Sequence, residues 1–286
     1  MEGGRSAAES TMIDLHIHTT ATPHHSGWAP AALALHAAQH RYQWIAAADH
    51  NTTAGVTALR DAGRSYGVRT VSAVEIDSAA FGKLWHTLVY GADPDAPALL
   101  SLCDEVTRRN AADSRQLLEL LPRLGFQLPG RAELPAVVNV AVIAALLAAG
   151  NELPGRIDGE ADEEAGMRFL LTQLPEAYRP LQVEEIVAVA HHLNACAVLA
   201  HPGRSKGIYA VPATDDEISR FAGIGLDGIE VFYPAHDAAT RTRLWAAAQR
   251  NRLLVSGGSD SHFPDQPLAT WQPEQITLLA ALQDCW

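Results

Sequence analysis

Residues 12–18 read MIDLHIH, and this heptapeptide carries most of the fold assignment. Apolar and polar side chains alternate through it, the period of a strand. The polar positions at its end are His16 and His18, two residues apart and so on one face. A short apolar strand ending in paired histidines is unusual enough to direct the reading of the rest of the chain.

Working outward, short apolar runs alternate with helix-like stretches. PAALALHAAQHRY reads as a helix, WIAAADH as a strand, AGVTALRDAGRSYG as a helix, and VRTVSAVEID and LWHTLVYG as strands. The rhythm resumes after residue 181: VEEIVAVAHHLNA helix, CAVLAHPG strand, DDEISRFAGIG helix, LDGIEVFYP strand, ATRTRLWAAAQRN helix, LLVSGGSDSH strand. Such a βαβ series implies a parallel sheet covered by helices. Residues 99–180 differ, being helical throughout. The expected organisation is therefore one α/β domain in two pieces, 12–98 and 181–286, interrupted by a helical insertion at 99–180. Residues 1–11, MEGGRSAAEST, read as a disordered leader.

Composition narrows the function. The formal net charge of -12 argues against binding long nucleic acid, which needs a basic surface. Lysine occurs only as Lys83 and Lys206, so arginine carries nearly all the positive charge. Cys103, Cys196 and Cys285 lie far apart without metal-finger spacing and fit a reducing compartment, with at least one thiol buried. No apolar run has membrane-spanning length, so the cytoplasm is the default location and no membrane partner is expected.

Ionisable residues gather where the expected strands end, which is where α/β proteins place their sites. These are His16 and His18, Asp49 and His50, Glu75, His86, His201, Glu230 and His236, and Asp260 and His262. Burying so many ionisable groups without a cation would be costly. Spacing of i and i+2 lets His16/His18 and Asp260/His262 each converge on one ion. The lack of thiolates favours Mn, Fe, Zn or Mg over a structural zinc cluster. By contrast His36, His40, His191 and His192 fall on expected helices and read as surface or half-buried residues.

The stretches DLHIHTTA, AADHNTTAG, VEID, WHTLVYG, VLAHPGRS, GLDGIEVFYPAH and GGSDSH resemble, in order, the motifs of the PHP (polymerase and histidinol phosphatase) superfamily of metal-dependent phosphoesterases. Their form is most similar to the subgroup acting on nucleoside 3',5'-bisphosphates and short 5'-phosphorylated RNA. The resemblance implies a distorted (β/α)7 barrel with two to three divalent metal ions at the strand C-termini. It gives one ion His16, His18, Asp260 and a shared Glu75, and a second ion Glu75, His86 and His201. A third ion takes His50, His262 and a residue from the loop after His18. That residue is usually an Asp in this subgroup; here TATPHHSG replaces it, leaving His24 or His25. The implied reaction is hydrolysis of a phosphate ester of a small nucleotide through a metal-bound hydroxide. Glu75 and Asp260 serve it, Arg204 binds phosphate, and His236 binds phosphate or protonates the leaving group. A histidinol-phosphate-type phosphatase is the rival enzyme, and a non-catalytic metal-stabilised binding module the alternative outside catalysis. Two departures bear on substrate. Where the subgroup's insertion carries an Arg and a His, this chain has only Asn139, and a basic stretch is reduced to LPEAYRP with Tyr178. Oligomeric state is not legible.

Overall fold

The computed structural model describes residues 12–22, 26–135, 138–204 and 212–282. The leader, His24, His25 and Cys285 lie outside the described residues. Seven strands form one sheet in chain order: β1 (Met12–Ile17), β2 (Tyr42–Ala47), β3 (Arg69–Ala80), β4 (Lys83–Tyr90), β5 (Cys196–Leu199), β6 (Gly228–Phe232) and β7 (Leu254–Gly257). Helices α1 (Pro30–Gln39) and α2 (Ala54–Tyr66) carry the first two crossovers. Between β4 and β5 run α3 (Pro97–Arg123), α4 (Val140–Gly150), α5 (Asp162–Gln173) and α6 (Val183–His192). Helices α7 (Asp215–Gly223) and α8 (Ala238–Asn251) make the last two crossovers.

The sheet is mixed rather than wholly parallel. β4 runs antiparallel to both β3 and β5, while the other neighbours are parallel. Only Phe81 and Gly82 separate β3 from β4, both with positive φ (56° and 73°). Two residues make a hairpin turn and cannot house a crossover helix, so the fourth strand must reverse. The two edge strands meet at their C-terminal ends. Ile17 bridges Ser261 in parallel, His18 N donates to Ser261 O (2.9 Å), and Asp260 N donates to His16 O (2.7 Å).

Residues Ile13 to His18 are all fully buried. The register of β1 against β2 shifts between Asp14 and Ile17. Such an irregularity re-aims side chains, here at the two histidines. A first large apolar cluster fills the space between the sheet and helices α6–α8, and includes Cys103 of α3. A second, built by Leu117 and Leu121 of α3, Ile143 and Leu147 of α4 and Phe169 and Leu170 of α5, packs on Ala79 and Leu84 of the β3–β4 hairpin. Gly166 lets α5 pass directly against the Ala144 carbonyl of α4, where any Cβ would collide. Asn139 caps α4 by accepting from Ala141 N at 2.7 Å, so this helix starts later than the apolar run in the sequence suggests.

Candidate metal centre

The C-terminal ends of β1, β2, β5 and β7, with mid-strand Glu75 of β3 and His86 of the antiparallel β4, bring eight of the expected residues together. Glu75, at 0% exposure, is the hub. Its Oε1 lies 3.3 Å from His16 Nε2, 3.0 Å from His86 Nδ1 and 3.4 Å from His201 Nε2. Its Oε2 lies 3.3 Å from His18 Nε2 and 3.1 Å from His50 Nδ1. Asp260 Oδ1 adds contacts of 3.0 Å to His18 Nε2 and 3.6 Å to His16 Nε2. The His262 ring stacks on His18 with centroids 4.0 Å apart.

Among the described residues three sets place one ligand atom each within 4.8 Å of one another. One is His16, His18, Glu75 and Asp260, as the resemblance implies. The others are His50, Glu75, His86 and His18, His50, His262. His50 thus stands nearer to Glu75 and His86 than the expected partition gives it, while His201 approaches the hub through one atom pair. His24 and His25 fall outside the described residues.

Do these groups fit an ion? His16 Nε2, His50 Nδ1, His201 Nε2 and both Glu75 oxygens are buried yet make no hydrogen bond, although their separations are 3.1–3.4 Å. Native interiors rarely leave so many buried polar atoms unsatisfied in one place. Atoms that converge without donating to one another have the arrangement a shared cation requires, and nitrogen and carboxylate donors suit borderline and hard divalent ions. Electrostatics agree. Burial pushes the Glu75 pKa up, but His86, His50 and His16 hold it well below the usual carboxylate range. Burial likewise opposes charge on His16, while Glu75 and Glu230 raise it well above the imidazole value. These carboxylates demand positive charge beside them, from protons or from metal.

A second layer orients the first. Glu230, fully buried, lies 3.2 Å from His16 Nδ1 and accepts from His201 N at 2.9 Å. His16 Nδ1–H is thereby used, and Nε2 faces the centre. His262 Nδ1 donates to Asp260 O (2.8 Å), which likewise frees its Nε2. Asp14 accepts from His16 N, Ser259 N and Ala269 N at 2.7–3.2 Å, tying β1 to the loop after β7. Asp49 accepts from Thr19 N, Thr19 Oγ1 and Thr22 Oγ1 at 2.6–2.7 Å, holding the loop after β1. Asp260 and His201 have φ of 57° and 30°, left-handed values that non-glycine residues adopt when surrounding contacts impose them.

One expected role looks different in three dimensions, and one contributor was not expected. Both ring nitrogens of His236 are taken: Gly203 N donates to Nε2 (3.0 Å), so Nδ1 carries the proton and donates to Val231 O (3.0 Å). A ring satisfied on both sides by backbone has nothing left for a phosphate or a leaving group. His236 instead braces the His201–Arg204 turn. Arg204 does reach the cluster, with Nη1 3.3 Å from Asp260 Oδ2. Asp77 went unassigned in the sequence reading. It lies 3.5 Å from His50 Nδ1 and 3.6 Å from His86 Nε2, and its carboxylate accepts from Asn51 Nδ2 (2.8 Å). Its i+2 spacing from Glu75 on β3 was the available signal.

A cleft of about 1440 Å³ opens on this cluster. Its sheet side includes His50, Asp77, His86, Asp260 and His262; its helix side includes Asn110, Asn139, Glu163, Glu164 and Tyr178.

A buried histidine–carboxylate centre facing a cleft is the arrangement of a divalent-metal site. No protein-family model matches the chain. It is 29% identical over 258 residues (87% of this chain, 93% of the relative) to phosphoribosyl 1,2-cyclic phosphate 1,2-diphosphodiesterase of Eggerthella lenta. It is 28% identical over 268 residues (89% and 86%) to the 5'-3' exoribonuclease Rnm of Escherichia coli. A 3',5'-nucleoside bisphosphate phosphatase of Chromobacterium violaceum is 27% identical over 262 residues (89% and 88%). Among solved structures, a Bifidobacterium adolescentis protein described as a metal-dependent phosphoesterase superposes with a TM-score of 0.64 at 22% identity, covering 96% of this chain and 95% of that one. These likenesses support the resemblance to the PHP superfamily of metal-dependent phosphoesterases, and the chain is a hydrolase of phosphoester bonds.

Proposed function

We propose that this chain hydrolyses a phosphate ester of a small nucleotide or nucleotide-like molecule. His16, His18, His50, Glu75, His86, His201, Asp260 and His262 would hold two to three divalent ions for that reaction, Mn, Fe or Zn before Mg. The observation that carries the reading is the convergence of buried, non-hydrogen-bonded nitrogen and carboxylate atoms on Glu75. Bound there, the ions supply an acidified water as nucleophile and neutralise charge on the phosphoryl oxygens. The chain's own groups do the rest. Glu230, Asp77 and the Asp260 carbonyl orient the rings, and Arg204, at the edge of the cluster, binds a phosphoryl oxygen. Tyr233 lines the same cleft, and burial followed by the Asp260 charge keeps its hydroxyl protonated as a donor. The ties between the ends of β1 and β7 support reading the sheet as the wall of a distorted barrel. The separate apolar cluster of α3–α5 supports reading 99–180 as an insertion into a barrel domain formed by 12–98 and 181–286.

The test is a panel of adenosine 3',5'-bisphosphate, mononucleotides, phosphoribosyl 1,2-cyclic phosphate, short 5'-phosphorylated RNA and histidinol phosphate, each assayed with manganese, iron or zinc. Turnover of a nucleotide-type member, lost in Glu75→Ala, is expected. Absence of turnover across the panel in metal-loaded protein refutes the proposal.

A further inference from the structure

The helix side of the cleft has a chemistry that the metal side does not explain. Among the described lining residues Arg204 is the only Lys or Arg, and it is paired to Asp260 beside the metal cluster. Across the cleft, on α5, stand Glu163 (exposed) and Glu164 (half-buried), and neither makes an ion pair with a described residue. On the same helix side lies Tyr178, only 8% exposed, whose hydroxyl makes no hydrogen bond to a described residue although the residue lines the cleft. A hydroxyl on a cleft-lining residue that spends no hydrogen bond on a described neighbour is open to a ligand. Burial, then the fields of Asp77 and Asp113, raise its pKa above the usual phenol value, so it stays a neutral donor. Asn110 and Asn139 complete the set. Their Oδ1 atoms accept from Val140 N (3.0 Å) and Ala141 N (2.7 Å), which leaves each Nδ2 as the available donor.

Neutral donors flanked by two carboxylates suit a sugar hydroxyl, a heterocycle or an amine. Among the described residues of this side no cation faces Glu163 and Glu164, so a second phosphate would bring a dianion to two carboxylates, which costs rather than gains binding energy. We propose that the α3–α5 side of the cleft selects phosphomonoesters whose leaving group is uncharged or cationic and discriminates against a second phosphate. This rests on the phosphoesterase reading above and decides, within it, for mononucleotide-like over bisphosphorylated substrates.

Three probes differ at one position only: adenosine 5'-monophosphate, 3'-amino-3'-deoxyadenosine 5'-monophosphate and adenosine 3',5'-bisphosphate. We would measure kcat/KM for each and, separately, Kd on manganese-loaded protein from stopped-flow tryptophan fluorescence before turnover, since Trp85 lines the cleft. The expected order is amine at least equal to hydroxyl, with the bisphosphate about tenfold or more weaker in Kd, a gap that narrows with added salt. Glu163→Gln and Glu164→Gln, singly and together, should shrink the gap to about threefold or less in the double variant. Tyr178→Phe should weaken all three probes and leave their ratio unchanged. A bisphosphate that binds as tightly as the monophosphate overturns the inference. So does a gap unaltered in the folded glutamine variants, or failure of all three probes to bind. Binding with the expected gap but no turnover would refute the phosphoesterase reading alone.

Discussion

Glu230 offers the sharpest test of how the centre is held. It touches no expected ligand-binding atom, yet it accepts from His16 Nδ1 and from His201 N, at 3.2 and 2.9 Å, in a fully buried position. Glu230→Ala removes both acceptors. The His201 amide is then left buried without a partner, which costs about 1–3 kcal/mol, and the lost carboxymethyl volume adds about 1 kcal/mol of cavity. Removing a buried negative charge offsets part of this. The effect on the centre is separate: a histidine ligand that loses its outer carboxylate typically costs about 10–100-fold in metal affinity. Glu230→Gln keeps the volume and one acceptor oxygen, so it should spare most of the stability while still disturbing His16. The assay is metal retention against a graded chelator, read by elemental analysis, beside thermal unfolding of loaded and stripped protein. If Glu230→Ala folds and holds metal as tightly as the parent, the orienting role is wrong.

Three further outcomes follow from the same geometry. Full metal removal should lower the melting temperature, since a ligand at a hundred times its Kd contributes about 2.7 kcal/mol to the folded state; an unchanged melting temperature would count against a metal bound to the native centre. Stripped protein should also lose stability as pH rises from 6.5 to about 9. Burial opposes charge on His86, but Glu75 and Asp77 raise its pKa to about 9, so its favourable protonation is complete below 6.5 and gone above 9. Metal-loaded protein, where the cation replaces that proton, should show no such decline in a pH series of unfolding scans. Two glycine substitutions should separate the centre from the helices. Gly258→Ala places a Cβ onto the Cβ and N of His16 and should reduce metal retention as well as stability. Gly166→Ala drives into the Ala144 carbonyl and should cost about 1–3 kcal/mol while leaving metal retention intact.

The metal-facing half of the site was legible because its chemistry is written at strand ends, where period-two spacing is visible in one dimension. His16, His18, His201, Asp260 and His262 come from such positions, Glu75 and His86 from the middle of β3 and β4, and they meet around Glu75. Direction was less legible. A helix-flanked rhythm suggested parallel strands throughout, and only the two-residue turn at Phe81–Gly82 forces β4 to reverse. His36, His191 and His192 sit on helices and His40 directly after one, and these residues are indeed half-buried or exposed.

What sequence reading handled worst were groups whose role depends on a partner distant in the chain. His236 ends its strand as the ligands do, and only the fold reveals that Gly203 and Val231 occupy both its nitrogens. Asp49 and Glu230 fall at expected strand ends as ligands would, and Asp14 precedes one, but the fold spends their oxygens on Thr19, His201 and Ala269. A ligand must present a bare lone pair to the centre, whereas a supporting residue must spend its lone pairs on neighbours. The two are therefore indistinguishable by residue type and separable by hydrogen-bond satisfaction. By that criterion Glu75, with both oxygens unspent, belongs to the first kind and Glu230, with both engaged, to the second.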